Sequence, residues 1–254
     1  MLQINRVSET RNVAPDLFFI YQVELSSYCN MQCPYCPHPG MKRDKGFMSS
    51  EVLDACIGRL EAQKAPRIVL HHFGEPLLHP NLTERLQQVA RSGLSMQLST
   101  NSLLLDRCWN ILISIPVEIT VMISVHRWVD QAEQDYLDEV DAWAERARGT
   151  SVKIVPAYNL KNGKYTFHNW AQGSPESWDA RVCPFIKDNL AVVLWNGDIA
   201  TCCVDHEGTT VHRNILNEDR DLHVSTIWSS CKTCDVGRLM VGERVRPQNE
   251  VKTN

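Results

Sequence analysis

Three cysteines near the amino end are spaced so that their thiols can share one metal centre. Cys29, Cys33 and Cys36 follow the pattern C-x₃-C-x₂-C within eight residues, and no fourth cysteine lies nearby. A loop this short can offer three soft thiolates to three irons of a [4Fe–4S] cluster, which leaves the fourth iron open to an external ligand. A zinc site completed by a distant residue such as His38 is the alternative, although zinc sites usually pair their cysteines as two C-x₂₋₄-C units.

Five further cysteines lie late in the chain, at Cys183, Cys202, Cys203, Cys231 and Cys234. The segments 190–195 and 198–202 flank an Asn-Gly dipeptide, which is a strong signal for a tight β-hairpin. Such a hairpin brings Cys183 and Cys202 together, and the later C-x₂-C pair can close a cage of four thiols around a cluster. A zinc ribbon with four cysteines is the alternative, because its ligand spacing is similar.

The cysteine content and the charge exclude several classes of protein. Ten cysteines among 254 residues are too few for a small disulfide scaffold, so the clustered thiols are more typical of metal or cluster ligands. The formal net charge of −4 provides no overall positive field for nucleic acid or an anionic membrane. No apolar stretch is long enough to span a bilayer, and no secretory signal is evident. We therefore expect a cytoplasmic protein with neither nucleic-acid nor membrane partners.

Strands and helices alternate along the first 157 residues. Apolar runs predict strands at 17–25, 67–72, 95–100, 118–125 and 152–156, and periodic or capped segments predict helices at 48–63, 81–92, 106–113 and 129–148. This alternation predicts an α/β fold with a parallel sheet. The unusual loops follow the strands, so their side chains should meet at the carboxyl edge of the sheet, where ligands bind in such folds.

The first cysteine motif and the loops after the next strands resemble those of the radical S-adenosylmethionine (SAM) enzymes. The pattern C-x₃-C-x-aromatic-C has Tyr35 in its aromatic position and directly follows the first strand. Phe73-Gly74-Glu75-Pro76 is similar to the family's Gly-Glu-Pro element, and Ser99-Thr100-Asn101 resembles its Thr-Asn motif. The resemblance extends over residues 18–156 and implies a partial (β/α) barrel as the core of the protein.

This resemblance also implies the cofactors and the residues that bind them. The three amino-terminal thiolates would hold a [4Fe–4S] cluster, whose open iron would be chelated by the amino and carboxylate groups of SAM. Electron transfer would then cleave a carbon–sulfur bond, and a 5′-deoxyadenosyl radical would abstract a hydrogen atom from the substrate. The backbone of the Gly74-Glu75-Pro76 element and the side chain of its glutamate are expected to bind the amino group of SAM. The cofactor-binding residues implied in this way are Tyr35, Gly74, Glu75, Pro76, Thr100, Asn101 and Ser124.

The late cysteines resemble the auxiliary-cluster domains called SPASM and twitch. Cys183, Gly197 and Cys202 match the C-x₉₋₁₅-G-x₄-C opening of these domains, and Cys231 and Cys234 would supply two more ligands. No cysteine follows Cys234, so four candidate ligands remain for one second [4Fe–4S] cluster, as in the shorter twitch form. The resemblance therefore implies a small carboxy-terminal twitch domain built on the β-hairpin.

Cys203 adjoins one of these implied ligands but is not needed to complete the set of four. Radical epimerases of the family return a hydrogen atom from a cysteine to a carbon radical, and Cys203 is our candidate for a catalytic residue of this kind. The alternative is a small buried side chain, since free cysteines are among the most buried residues. Further candidates for substrate contacts are His126, Tyr158, His168, Asp205 and His206.

The predicted organisation of the chain has five parts. They are an N-terminal extension at 1–16, the partial barrel at 17–157, a connecting segment at 158–182, the twitch domain at 183–237 and a polar tail at 238–254.

The resemblance to small twitch enzymes implies a reaction at a carbon of a carbohydrate or an aminocyclitol. We expect oxidation of a secondary alcohol in natural-product biosynthesis, with electrons supplied by a donor such as flavodoxin or ferredoxin. Radical epimerisation of a sugar or an aminoglycoside through Cys203 is one alternative. Modification of a ribosomal peptide is another, although only about sixteen residues precede the first strand, and many such enzymes carry an extra domain there.

Overall fold

The computed structural model describes residues 18–33, 36–124, 133–157 and 179–217, together with residues 231 and 234. Eight strands of this part of the chain form one sheet. The strands are β1 (Phe19–Val23), β2 (Arg67–Leu70), β3 (Ser95–Thr100), β4 (Ile119–Ile123), β5 (Val152–Pro156), β6 (Leu190–Val193), β7 (Asp198–Ala200) and β8 (Val211–Asn214). The helices are α1 (Ser50–Ala62), α2 (Leu82–Arg91), α3 (Leu105–Ser114), α4 (Glu133–Arg146) and α5 (Pro184–Lys187).

The strands that carry the predicted motifs are parallel and adjacent. Their order across the sheet is β5-β4-β3-β2-β1-β6-β7-β8. All pairs from β5 to β6 are parallel, whereas β7 and β8 are antiparallel to their neighbours. The register sets Leu70 opposite Leu98 and Leu98 opposite Val121, so the carboxyl ends of three strands form one edge. The predicted parallel α/β fold is therefore confirmed.

Helix α1 shows how local sequence signals produce these elements. The Ser49 side chain accepts a hydrogen bond of 3.2 Å from the backbone amide of Val52 and thereby caps the first turn. Leu53, Cys56 and Leu60 recur on one face of the helix and are buried. This apolar stripe packs on the sheet, which explains why the cysteine loop between β1 and α1 is fixed at both ends.

The main core lies between the sheet and its helices. Ile68, Leu98 and Val121 are fully buried strand residues, and Leu86 and Leu112 are fully buried helix residues in the same cluster. Each such side chain contributes about 1.5–3 kcal/mol relative to an exposed one. The described helices include none that is long and apolar enough to cross a membrane.

The predicted hairpin around Asn196-Gly197 is present as β6 and β7, and it continues the main sheet. Strand β6 pairs in parallel with β1, with Phe19 opposite Leu190 and Val23 opposite Val193. The sequence analysis did not predict this pairing or strand β8. The division into partial barrel, connecting segment and twitch domain stays a prediction. The extension at 1–16 and the tail at 238–254 lie outside the described residues.

Candidate active site

A cavity of about 220 Å³ opens at the carboxyl edge of the parallel strands. Loops after β1, β2, β3 and β4 line it, so the sheet brings together residues that are far apart in the sequence. The lining includes most of the residues predicted for the first cluster and for SAM, and Cys203 lines the same cavity. These predicted lining residues are Cys29, Cys33, Cys36, Gly74, Glu75, Thr100, Asn101 and Ser124. Pro76 begins the short 3₁₀ turn behind them, and Tyr35 lies outside the described residues.

The three amino-terminal thiols share the loop between β1 and α1. The backbone amide of Cys36 donates to the carbonyl of Cys33 over 3.0 Å, which closes a turn between the second and third thiols. Burial, with a smaller effect from the neighbouring Cys33 and Cys29, raises the pKa of Cys36 to about 11. An iron–sulfur cluster would bind these groups as thiolates and release their protons. Three soft sulfur donors facing one cavity therefore suit such a cluster.

His38, the fourth ligand in the zinc alternative, already has a partner. Its Nε2 lies 2.9 Å from the carbonyl oxygen of Ser27. Burial lowers the pKa of His38, so a neutral ring donates to that carbonyl. Among the described residues, no three His, Cys, Asp or Glu side chains are arranged as ligands of a single ion. The contact with Ser27 stabilises the loop that carries the thiols.

The loop after β2 packs directly against the cysteine loop. A Cβ atom at Gly74 would lie 1.8 Å from the carbonyl oxygen of Ser26 and 2.9 Å from the Cα of Ser27, so only glycine fits. The backbone amide of Glu75 donates to the carbonyl of Tyr28 over 2.7 Å. This close approach of two backbones gives a physical reason for the glycine in the Gly-Glu-Pro element.

The carboxylate of Glu75 joins the loops after β2 and β3. Its Oε1 accepts hydrogen bonds from the hydroxyl of Thr100 (2.9 Å) and the backbone amide of Leu77 (3.0 Å). Its Oε2 accepts from the backbone amide of Asn101 (2.8 Å). Glu75 is 2% exposed, and burial raises its pKa to about 7 although these hydrogen bonds act in the opposite direction. The carboxylate thus shapes the Thr100–Asn101 turn, and its implied contact with SAM stays a prediction.

Asn101 extends this network to the first thiol. Its side-chain amide donates to Oδ1 of Asn30 over 2.7 Å and lies 3.9 Å from the sulfur of Cys29. Its own Oδ1 accepts the backbone amide of Leu103 over 3.1 Å. The Thr-Asn segment therefore holds the beginning of the cysteine loop in place.

Ser124 completes the row of strand ends. It follows β4, is 7% exposed, and donates its backbone amide to the carbonyl of Thr100 over 2.8 Å. This contact sets Ser124 beside the Thr-Asn segment on the cavity wall. The candidate substrate contacts His126, Tyr158 and His168 lie outside the described residues.

Cys203 lies between the cavity and the second group of thiols. Its thiol makes a hydrogen bond with Cys202, which raises the pKa of Cys203 and lowers that of Cys202. Cys234 and Cys183 are near enough to raise the pKa of Cys203 as well. The backbone amide of Cys234 also donates to the carbonyl of Cys231 over 3.3 Å. Cys183, Cys202 and Cys234 thus lie in the neighbourhood of Cys203, and a shared cluster at these thiols stays a prediction.

Asp205 shapes the loop that follows this cysteine pair. Its Oδ1 accepts from the backbone amide and the hydroxyl of Thr209, both over 3.0 Å. Its Oδ2 accepts from the backbone amide (2.7 Å) and the hydroxyl (2.6 Å) of Thr210. The carboxylate is saturated within its own loop, so the geometry assigns Asp205 a structural role in place of the expected substrate contact.

Several cavity residues that the sequence analysis missed lie within the strands. Tyr21 and Gln22 come from β1, Gln97 from β3 and Met122 from β4. Burial, with Cys203 close by, raises the pKa of Tyr21 to about 12. Gln22 and Gln97 are half-buried amides that interrupt the apolar pattern of their strands, and Gln97 accepts a hydrogen bond of 3.3 Å from Arg67. A glutamine between the apolar residues of a predicted strand is the sequence signal that could have identified Gln22 and Gln97.

Comparison with known proteins shows which protein family the sequence matches. Residues 23–149, which are half of the 254 residues, match the model of the radical SAM superfamily. Over 246 residues the chain is 24% identical to the S-adenosyl-L-methionine-dependent 2-deoxy-scyllo-inosamine dehydrogenase of Niallia circulans, covering 94% of this chain and 92% of that protein. A shorter match of 86 residues, 28% identical, links it to the tungsten-containing aldehyde ferredoxin oxidoreductase cofactor-modifying protein of Pyrococcus furiosus, covering 33% of this chain and 24% of that protein.

Solved structures show the same fold. The crystal structure of BtrN in complex with AdoMet and 2-DOIA has a TM-score of 0.59 at 24% identity and covers 85% of this chain and 84% of that one. The open conformation of BtrN has a TM-score of 0.52 at 20% identity, covering 87% and 94% of the two chains. The similarity supports the fold described above.

Proposed function

Because the chain belongs to the radical SAM superfamily of enzymes, we propose that it oxidises a secondary alcohol of a carbohydrate or an aminocyclitol. Family membership implies SAM and a [4Fe–4S] cluster as cofactors. It therefore favours an iron–sulfur cluster over a zinc site at the first three thiols. The similarity to an aminocyclitol dehydrogenase along 94% of the chain supports the reaction and the substrate class.

The shared cavity is the observation on which this proposal depends. One cavity is lined by the three thiols, by the loops after β2 and β3, and by Ser124. Cys203 lines the same cavity. A substrate in this cavity would therefore lie between the SAM-binding loops and the second group of thiols. That arrangement suits a reaction in which hydrogen abstraction and electron removal act on the same molecule.

The residues of the chain position and protect the reacting groups. When bound, the cluster and SAM supply a 5′-deoxyadenosyl radical, which abstracts a hydrogen atom from carbon. Cys29, Cys33 and Cys36 would hold the cluster, and the hydrogen bonds of Glu75 fix the loops after β2 and β3, which would bind SAM. Both Glu75 and Thr100 are nearly inaccessible to water, so water does not compete for the hydrogen bond between them.

Alcohol oxidation requires an acceptor for one electron after the hydrogen atom has left carbon. The C–H and O–H bonds of the carbinol break, a carbonyl forms, and one proton and one electron leave. We propose that Cys183, Cys202, Cys231 and Cys234 hold a second [4Fe–4S] cluster, which would supply that acceptor. An external donor such as flavodoxin or ferredoxin would supply the electron that cleaves SAM.

Epimerisation is the second candidate function, and one observation favours it. Cys203 lines the cavity, where its thiol would face a substrate bound there. A protonated thiol can return a hydrogen atom to a carbon radical, which would leave the oxidation state of the substrate unchanged.

These functions are tested by incubating anaerobically reconstituted protein with SAM, dithionite and 2-deoxy-scyllo-inosamine. Other aminocyclitols and free sugars are assayed as substrates in parallel. We expect 5′-deoxyadenosine and a ketone in equal amounts. Deuterium at the carbinol carbon should appear in the 5′-deoxyadenosine. Solvent deuterium at carbon in a product of unchanged oxidation state would establish epimerisation instead. Formation of 5′-deoxyadenosine without a ketone for every alcohol tested would reject the proposed oxidation.

A further inference from the structure

A buried ion pair lies between the cysteine loop and the carboxy-terminal hairpin. Glu24 directly follows β1 and is 1% exposed. Arg43 donates from Nη1 to Oε2 of Glu24 over 2.9 Å and from Nη2 to Oε1 over 2.5 Å. The backbone amide of Trp195, at the hairpin turn, donates to the same Oε2 over 3.3 Å. The pair therefore has the two-point geometry that fixes both distance and direction.

Arg43 also contacts the loop that follows Cys203. Its Nε donates to the carbonyl of His206 over 2.5 Å. The backbone amides of Lys42 and Arg43 donate to the carboxylate of Glu207 over 3.0–3.1 Å. One guanidinium thus connects the end of β1 with the 205–208 loop.

Trp195 packs against the segment that carries Lys42 and Arg43. We call this segment, residues 42–46, the strap. Its indole Nε1 donates to the carbonyl of Asp44 over 3.1 Å. A Cβ atom at Gly46 would lie 2.3 Å from the indole ring, so the ring rests directly on the backbone of the strap. The strap therefore contacts three separate parts of the structure: the end of β1, the hairpin turn and the 205–208 loop.

The strap and the loop that it contacts each lie close in sequence to one group of thiols. Arg43 lies seven residues after Cys36, and His206 lies three residues after Cys203. A buried ion pair adds little net stability compared with apolar residues of the same size. Its two-point geometry instead fixes the position of one group of thiols relative to the other.

We propose that Arg43, held by Glu24, is a positioning residue that sets the distance between the first thiol triad and the Cys202-Cys203 segment. This inference rests on the proposed function, in which one substrate must reach both groups. A displacement of about 1 Å between reacting groups can cost up to about 100-fold in rate. Loss of Arg43 should therefore impair the use of the radical and leave its formation intact.

The variant Arg43→Lys tests this role. Lysine keeps the positive charge but loses the planar fork that spans Glu24 and His206. We expect 5′-deoxyadenosine to form at the wild-type rate while the ratio of ketone to 5′-deoxyadenosine falls about tenfold. Hydrogen exchange of backbone amides in residues 201–210 should accelerate, whereas exchange in residues 95–104 should not change. Lys153→Met is the matched control, because Lys153 forms an exposed pair with Glu118 at the far edge of the sheet.

Glu207→Gln provides a second and milder test at a partly exposed site. It weakens the contact between the strap and the 205–208 loop, so the ratio and the exchange should change in the same direction as in Arg43→Lys, and by less. If Arg43→Lys does not fold, Glu207→Gln alone tests whether the strap positions the two groups of thiols. An unchanged product ratio, or unchanged exchange in residues 201–210, would overturn the inference. If the wild-type protein forms no 5′-deoxyadenosine, the proposed function fails, while the exchange measurement still tests the strap.

Discussion

Thr100 and Glu75 form a buried hydrogen bond of 2.9 Å that joins the ends of β3 and β2. The same hydroxyl accepts the backbone amide of Ser102 over 3.1 Å. This oxygen and the backbone amide of Asn101, which donates to Oε2 of Glu75 over 2.8 Å, join the two loops that are proposed to bind SAM.

Valine at position 100 keeps the shape of threonine and removes the hydroxyl. Thr100→Val removes one donor from the buried Glu75 carboxylate and removes the hydrogen bond between the Ser102 amide and the Thr100 hydroxyl. We expect a loss of about 2 kcal/mol in the free energy of unfolding and weaker SAM binding, measured by denaturant titration and equilibrium dialysis. Thr100→Ser keeps the hydroxyl and should retain both properties. Equal losses in the two variants would contradict this role.

Gly74 should tolerate no side chain. Alanine would place a Cβ atom 1.8 Å from the carbonyl oxygen of Ser26, so the loop after β2 must move away from the cysteine loop. We expect Gly74→Ala to lose the iron of the first cluster, so an iron and sulfide assay should find about four instead of about eight irons per chain. Gly40→Ala is the control, because nothing lies within 4 Å of a Cβ atom there. Normal iron content in Gly74→Ala would show that the close approach does not matter.

His72 should make stability depend on pH. Burial, together with the nearby Arg43, lowers its pKa from 6.5 to about 3. A histidine whose pKa is lower in the folded state contributes stability above pH 6.5, and this contribution is lost as the pH falls toward 3. The free energy of unfolding should therefore fall by up to about 1.4 kcal/mol per pH unit below about pH 6.

The variant His72→Gln tests this pH dependence, since glutamine does not titrate. Denaturant titrations of both proteins between about pH 7.5 and 5.5 should show a shallower slope for the variant. The same slope in both proteins would mean that His72 is not the group responsible.

Cys202 and Cys203 are adjacent but should behave differently. Cys202→Ala removes a proposed ligand, so the iron content should fall from about eight to about four per chain. Cys203→Ala should retain its iron and, if the reaction is an oxidation, its ketone formation. A Cys203→Ala protein with full iron content and no turnover would identify Cys203 as a hydrogen donor and favour epimerisation.

Much of the fold and of the first site could be predicted from the sequence because the signals are local. The predicted strand at 95–100 coincides with β3, and the thiol motif follows directly on the predicted first strand. Loops after consecutive parallel strands must meet at one edge, so Gly74, Thr100 and Ser124 could be placed together without coordinates.

The contacts that join distant segments could not be predicted. The pairing of β6 with β1 could not be predicted, because neither strand carries a residue pattern that identifies the other as its neighbour. Glu24 is a charge at the end of an apolar run, which indicates that a partner exists, but nothing in the sequence identifies Arg43. The saturation of the Glu75 and Asp205 carboxylates likewise depends on backbone amides that only the folded chain brings near.

Electron–nuclear double resonance tests most directly whether the amino-terminal thiols leave an iron open to SAM. The sample is reduced, reconstituted protein with SAM isotopically labelled at its amino nitrogen. We expect a hyperfine coupling between the label and the cluster, and we expect it to be absent in Cys33→Ala. A cubane signal without coupling to the label, or protein without a cubane signal, would contradict the central claim.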